Sequence, residues 1–222
     1  SVSSNYRPIS LLPHMSKLLE HIVHDQLIRY IQNAPPALQH LPAEQFAYRR
    51  VHSCEDLLTC VTNDWMLALD KGDYVVAAFL DMSKAFDTVN HNMLLQELLE
   101  IGIGGVALQW FHSYLTNRQQ CVVTKTQQGQ PYTSNRGVPQ GSVLGPFLFN
   151  LSVRKLPAVP KHCKARQYAD DVSLYRAGKN VQNLCRPHRG HHQSKGILGN
   201  ERSYVELLEN PACCVQAKVE TS

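Results

Sequence analysis

The stretch "ARQYADDVSLYR" (165–176) sets Asp170 beside Asp171 between two short apolar runs. Two carboxylates about 4 Å apart repel by roughly 4 kcal/mol even at an effective dielectric near 20. Such a pair either sits in a solvated turn, which Asp favours because its side chain bonds to nearby backbone, or takes up a cation. The second option needs a further acid. Asp81 ends the run "YVVAAFLDM" (74–82), and a charge at the end of a buried strand is costly unless it is paired or bound to metal. Alone, Asp81 could equally be a turn former or a helix cap. Three carboxylates on neighbouring strands of one sheet are what two divalent cations need. Such cations, about 3.5–4 Å apart, can clamp the attacking and leaving oxygens of an in-line displacement.

A third stretch, "RGVPQGSVLGPFLFN" (136–150), carries different chemistry. Gly137 and Gly141 allow close backbone approach, Pro139 stiffens the turn, Gln140 offers an amide, and Ser142 can cap the helix that follows. Such a turn can lie against the flat face of a base pair, or simply lead into a helix.

The elements that must position these groups follow from periodicity. Residues 13–33 read as a helix, with Met15, Leu18, Leu19, Ile22 and Leu27 apolar, ended by Pro35-Pro36. A second helix starts at Ser53 as N-cap, with Glu55 and Asp56 in its first turn, and stops at "KGD" (71–73). Residues 74–82 then read as a strand buried on both faces. "NMLLQELLEI" and "VALQWFHSYLTN" follow as helices around "GIGG" (102–105). A hairpin turns near Gly129, a buried helix spans 142–153, and the stretch holding Asp170 and Asp171 forms a last hairpin. Helices interleaved with antiparallel hairpins predict an α+β fold.

Composition sets the outer bounds. The chain has 222 residues, 43% hydrophobic and 18% charged, which suits a globular protein. A net charge of +4 permits a polyanionic partner without demanding one. Seven cysteines without regular spacing and no secretory signal predict an intracellular, reducing compartment, with nucleus or cytoplasm undecided. No apolar stretch reaches the roughly 18 residues that a membrane span requires. Ser1 in place of an initiator Met suggests a piece of a longer chain.

Taken together, "FLDMSKAFDTVNH", "RGVPQGSVLGPFLFN" and "QYADD" resemble the first three palm motifs of reverse transcriptases, in the right order. "NYRPISLLPHMSKLLEHIV" and "EQFAYRRVHSCEDLL" resemble the finger motifs of the branch encoded by non-LTR (LINE-type) retrotransposons, and "LLEIGIGGVALQWFHSYLTNRQQCVV" fits the same branch. The resemblance runs from about residue 5 to 178. It implies an α+β right-hand polymerase with fingers and palm, the antiparallel palm sheet packed on helices. It also implies an RNA-directed DNA polymerase that moves a nucleotide from a dNTP to a primer 3′-hydroxyl with two Mg²⁺ ions, Mn²⁺ being able to substitute. The partners would be an RNA template, a DNA primer and dNTPs, with no membrane. Asp81, Asp170 and Asp171 match the metal ligands and catalytic acids. Phe86 matches the aromatic that crowds a sugar 2′-hydroxyl. Gln140 and Gly141 match contacts to the incoming nucleotide or its template base, and Arg49 matches a finger arginine facing the triphosphate. Asp87 looks structural. The chain departs from the finger pattern at Ala47 and Tyr48, where Gly and Phe are usual, and at Cys54, where Thr is common. Ala47 would be strained if the backbone there needs a positive φ.

The resemblance divides the chain into a fingers-like region (1–73), a palm with interleaved finger elements (74–180) and a divergent tail (181–222). The family's thumb is expected to be missing, which would weaken grip on the primer–template duplex. The endonuclease that parent proteins often carry is not encoded here. An abrupt loss of pattern near residue 184 suggests a frameshifted or disordered tail, in which "LLENPACC" (207–214) faintly echoes the family's next motif. Cys185, His188, His191 and His192 are spaced more tightly than known zinc modules. Two other readings remain: a catalytically silent remnant that at most binds nucleic acid, and an intron-encoded maturase, which fits "IGIGG" less well.

Overall fold

Local rules account for most of the helices. In the computed structural model, which describes residues 9–34, 41–82, 84–124, 127–160, 162–184 and 215–217, helix α1 spans His14–Asn33 and α2 spans Cys54–Asp70. Ser53 caps α2 through a reciprocal box. Its hydroxyl accepts from the Asp56 amide at 3.2 Å, and the Asp56 carboxylate accepts from the Ser53 amide at 2.7 Å. The pattern therefore located both the start and the cap of this helix.

The chain forms two compact units, each built from two separate segments. One contains residues 1–41 and 84–153, the other residues 42–83 and 154–222.

In the second unit, strand β1 (Tyr74–Asp81) pairs antiparallel with β5 (Asp171–Gly178), which pairs antiparallel with β4 (Lys164–Tyr168). A short β6 (Val215–Ala217) adds to the other edge of β1, so the order is β4-β5-β1-β6. Helix α2 packs on this sheet, its Leu57, Val61 and Ala68 meeting Val75, Ala77, Tyr175 and Phe46 in one apolar core. A short helix α7 (Val181–Leu184) follows β5.

Strand β1 differs from the expectation in one respect. Val75, Val76 and Ala77 are buried, but Phe79 and Asp81 are exposed. Double-sided burial thus holds only for the first half. Val75 and Ala77 lie in the core under α2, whereas farther along the same face Phe79 meets the Trp65 ring edge-on, at 6.4 Å between centroids. An apolar run reports hydrophobicity and not which part of it an adjoining helix covers. Asp81 is consequently a solvent-facing acid, and the desolvation cost anticipated for it is small.

The first unit is mainly helical. After a short helix α3 (Ala85–Thr88), which the periodicity did not reveal, come α4 (His91–Glu100) and α5 (Gly105–Leu115). Strands β2 (Arg118–Gln120) and β3 (Tyr132–Ser134) form a small antiparallel ribbon, and α6 (Gly145–Ser152) follows. Helix α4 packs against both α5 and α6. Leu94, Leu98, Leu115, Leu144, Leu148, Phe149 and Leu151 are all nearly inaccessible. All named strand pairs are antiparallel and are accompanied by helices, as the α+β expectation held. Among the described residues no helix is long and apolar enough to cross a membrane. The tail features expected within residues 185–214, including Cys185, His188, His191, His192 and "LLENPACC", lie outside the described residues.

Candidate active site

The three acids singled out by sequence meet at one end of the second unit's sheet. Tyr168 and Asp171 form the last pair of the β4–β5 hairpin, leaving Ala169 and Asp170 as a two-residue turn. Asp81, the last residue of β1, stands in register opposite Asp171. Directly opposed residues of an antiparallel pair project on the same face with Cβ atoms about 4.5–5.5 Å apart. The register therefore sets Asp81 and Asp171 opposite each other, and Asp170 precedes Asp171 in the turn. Asp81 and Asp171 are exposed and Asp170 is half-buried.

The donor set is all carboxylate oxygen, which suits a hard divalent cation. Mg²⁺ is usually held through one or two carboxylates, with waters and substrate phosphates completing its shell. An open pair with a third acid beside it fits that mode. It is not an all-protein cage: among the described residues no three His, Cys, Asp or Glu side chains group tightly enough to hold a metal ion.

The turn is held in an unusual conformation. Ala169 has φ +53°, in the left-handed region where an L-residue costs roughly 1–2 kcal/mol. Two-residue hairpin turns favour Gly or Asn in such positions. Here two buried glutamines hold Ala instead. Gln45 Oε1 accepts from the Ala169 amide at 3.1 Å, and Gln167 Nε2 donates to the Ala169 carbonyl at 2.8 Å, joined by a longer bond from Gln45 Nε2 at 3.4 Å. At about 0.5–1.5 kcal/mol net per hydrogen bond, these offset the backbone strain. Gln45 and Gln167 are 1% and 0% exposed, so water does not compete for these partners. The Gln45 segment is itself fastened to β4, with the Phe46 amide donating to Gln167 O at 2.9 Å and the Gln167 amide to Glu44 O at 2.8 Å.

Neither glutamine was singled out from sequence. Gln45 and Ala169 are 124 positions apart, and a glutamine beside an aromatic carries no local signal of such a partnership.

The loop that follows Gln45 carries Arg49. One guanidinium nitrogen donates to Pro42 O at 2.7 Å and to Gln45 O at 3.0 Å, so part of this fork braces its own loop. Burial lowers the Arg49 pKa, opposed by the charge of Glu44. The positive φ considered for Ala47 falls on Tyr48 (φ +56°) and Val51 (φ +61°) instead. Ala47 is small because it is packed, at 1% exposure. Burial, followed by the charge of Asp170 and then Tyr168, raises the Tyr48 phenol pKa.

Phe86, Gln140 and Gly141 belong to the first unit. Phe86 stacks on Phe149, with centroids 4.6 Å apart and planes within 17°. Its carbonyl accepts from the Val138 amide at 2.8 Å, which ties the short helix α3 to the turn holding Gln140. Ser10 donates its amide to Gln140 O at 2.9 Å. Ser142 bonds to the first turn of α6, accepting from the Gly145 amide at 2.9 Å. The deeper cap is one that sequence reading missed. Glu20 of α1, buried at 1% exposure, accepts from the amides of Val143 at 2.7 Å and Leu144 at 3.3 Å. A carboxylate there satisfies orphan donors and complements the helix dipole.

A cavity of about 370 Å³ lies beside this turn. Lys84, Arg118 and Arg136 line it together with Gln140, and among the described residues Asp87 is its one carboxylate. These cations come from a loop, β2 and the approach to the turn, so no run of basic residues announced them in the sequence.

Comparison with known proteins assigns the chain to a family. The family described as reverse transcriptase (RNA-dependent DNA polymerase) matches residues 2–196. A probable RNA-directed DNA polymerase from transposon BS of Drosophila melanogaster is 34% identical over 180 residues, covering 77% of this chain and 19% of that protein. A probable RNA-directed DNA polymerase from transposon X-element of the same species is 32% identical over 178 residues, covering 80% and 18%. The RNA-directed DNA polymerase from mobile element jockey of Drosophila funebris is 30% identical over 177 residues, covering 77% and 19%. The chain thus spans about a fifth of the length of these relatives. Among solved structures, a telomerase from Candida Tropicalis in complex with a TWJ fragment of telomeric RNA covers 94% of this chain at a TM-score of 0.54 and 13% identity, with 34% of that chain matched. At that identity the likeness concerns the fold alone. The chain belongs to the reverse transcriptase family, and its relatives are enzymes of non-LTR retrotransposons.

Proposed function

We propose that this chain carries the polymerase centre of an RNA-directed DNA polymerase, with the four-stranded sheet as its palm and the Gln45–Arg49 loop as part of its fingers. The observation that carries the reading is the register of Asp81 against Asp171, with Asp170 in the adjoining turn, in a member of this family. Asp81, Asp170 and Asp171 would hold two Mg²⁺ ions, for which Mn²⁺ could substitute. Bound there, the cations would supply charge neutralisation to the attacking primer 3′-hydroxyl and to the departing pyrophosphate.

The chain's own residues would do the rest. Phe86, fixed by its stack on Phe149, would reject a sugar 2′-hydroxyl by crowding it. Gln140 and Gly141 would touch the incoming nucleotide or the template base opposite. The guanidinium donors of Arg49 not spent on Pro42 and Gln45 would face triphosphate oxygens. The cavity lined by Lys84, Arg118 and Arg136 supports a polyanionic partner, because three cations around one carboxylate leave positive charge to be matched. An RNA template and a DNA primer would be that partner.

Primer extension on an RNA template with Mg²⁺ or Mn²⁺, beside an Asp170→Asn control, tests the proposal. Extension by the parent chain and a loss of two or more orders of magnitude in the control, the size expected of a principal electrostatic group, is the expected result. No extension by a folded chain would instead favour a silent remnant that at most binds nucleic acid.

A further inference from the structure

The two buried glutamines have no part in the roles assigned above, yet both bond to one residue, on the two peptide groups that flank its Cα. Ala169 presents its amide to Gln45 and its carbonyl to Gln167 and Gln45, and all three residues are at most 5% exposed. Gln45 Oε1 also accepts from the Ala47 amide at 3.0 Å, which fixes the side chain against its own loop. Ala169 stands at φ +53°, a conformation that an alanine does not keep unaided. Its two neighbours along the chain toward the carboxyl end are Asp170 and Asp171. If the Ala169 backbone rotates to an ordinary negative φ, the direction in which both acids leave the hairpin changes.

We propose that Gln45 is a positioning residue: its buried amide, braced by Gln167, locks the Ala169 backbone in the left-handed region and so sets the affinity of the Asp81, Asp170 and Asp171 site for divalent cations. This rests on the reading that these carboxylates take up a cation. Gln45 touches neither cation nor substrate. It acts through one alanine, as groups behind metal ligands commonly do. The lock also joins the segment that bears Arg49 to the hairpin that bears the acids, since Gln45 itself receives the Arg49 guanidinium on its carbonyl.

The test is Mn²⁺ binding to the whole 222-residue chain, followed by the resonance of free Mn²⁺, with thermal melting as the check on folding. Asp81→Asn calibrates the site. Gln45→Met keeps the side-chain length and removes both amide functions. It should weaken Mn²⁺ binding about tenfold or more, within the 10–100-fold usual for groups behind metal ligands, while melting stays cooperative. Adding Ala169→Gly to Gln45→Met should restore several-fold of the affinity, because glycine adopts φ > 0 without help. A merely structural glutamine gives the opposite result, since the extra glycine only loosens the fold. Unchanged Mn²⁺ affinity in folded Gln45→Met overturns the proposal, and failure of glycine to rescue overturns the backbone lock. If Asp81→Asn binds Mn²⁺ as the parent chain does, the cation reading itself fails and takes this inference with it. Should Gln45→Met not fold, hydrogen exchange of the Ala169 amide in the parent chain decides. Slow exchange is expected of a locked peptide, and exchange at the rate of an open turn overturns the lock.

Discussion

Gly137 has φ +86°, and a Cβ built there would lie 2.9 Å from the Asp87 Cα and carbonyl oxygen. Its own carbonyl accepts from His91 Nε2 at 2.8 Å, and its amide donates to Val89 O at 2.8 Å. A side chain at this position strains the backbone and pushes on a neighbouring segment that cannot swing away. Gly137→Ala should therefore cost about 1–3 kcal/mol, read as a lower urea midpoint with an unchanged slope. The sequence marked Gly137 as a place of close approach but could not say that Asp87 is what approaches. The same holds for Phe86. Its type was legible, while the stack on Phe149 that fixes its plane was not.

At the scale of elements, helix α2 shows both local and non-local determination. Its start is written in adjacent residues, Ser53 and Asp56. Its anchorage to the sheet is not. Asp64 accepts from Lys164 Nζ of β4 at 2.7 Å and from the Tyr175 hydroxyl of β5 at 2.5 Å, with Arg166 Nη2 at 3.6 Å. Burial pushes the Asp64 carboxyl up, but hydrogen bonds from Lys164 and Tyr175 and the charges of Lys164 and Arg166 outweigh it, and its pKa lies below the ordinary value. Burial, then the hydrogen bond to Asp64, pushes the Tyr175 phenol up to about 12, so it stays a donor at working pH. A depressed carboxyl pKa gives stability that is present above the unfolded-state value and lost as pH falls through the folded one. Asp64→Asn should cost about 1 kcal/mol at neutral pH, a modest figure because the group is partly solvated. The gap between the two proteins should close as pH is taken below the usual carboxylate range near 4, checked by chemical unfolding at each pH. The N-terminus of α6 follows the same logic. Glu20 caps it from α1, and no local pattern around residue 143 points to a residue 123 positions earlier.

For the whole molecule, the division into two compact units groups the candidate residues. Asp81, Asp170, Asp171 and Arg49 fall in one unit, while Phe86, Gln140, Gly141 and the basic cavity fall in the other. Cation binding to the acid end of the sheet should stabilise the folded chain by about 2.7 kcal/mol at a hundredfold excess over Kd. Thermal melting with and without Mn²⁺ reads this directly, and Asp81→Asn should erase the difference. Binding of an RNA strand to the cavity should respond to salt instead. Each of Lys84, Arg118 and Arg136 that meets a phosphate should add about 0.7 to the slope of log K against log salt for a single strand. Arg136→Gln should lower that slope by about the same amount, measured by fluorescence anisotropy of a labelled oligonucleotide.

The sequence by itself determined what depends on neighbours in the chain: the periodicity of α1 and α2, the cap at Ser53, the antiparallel hairpins, and the motifs that placed the chain in its family. It also singled out the three acids as candidates, because their residue type is their chemistry. The tertiary structure alone decided what depends on partners far apart in the chain. It set the register that puts Asp81 opposite Asp171, the half of β1 that α2 covers, the Glu20 cap on α6 and the two amides that hold Ala169. A hydrogen bond across 124 positions costs chain entropy that only the packed fold repays, and no window of sequence contains both of its ends.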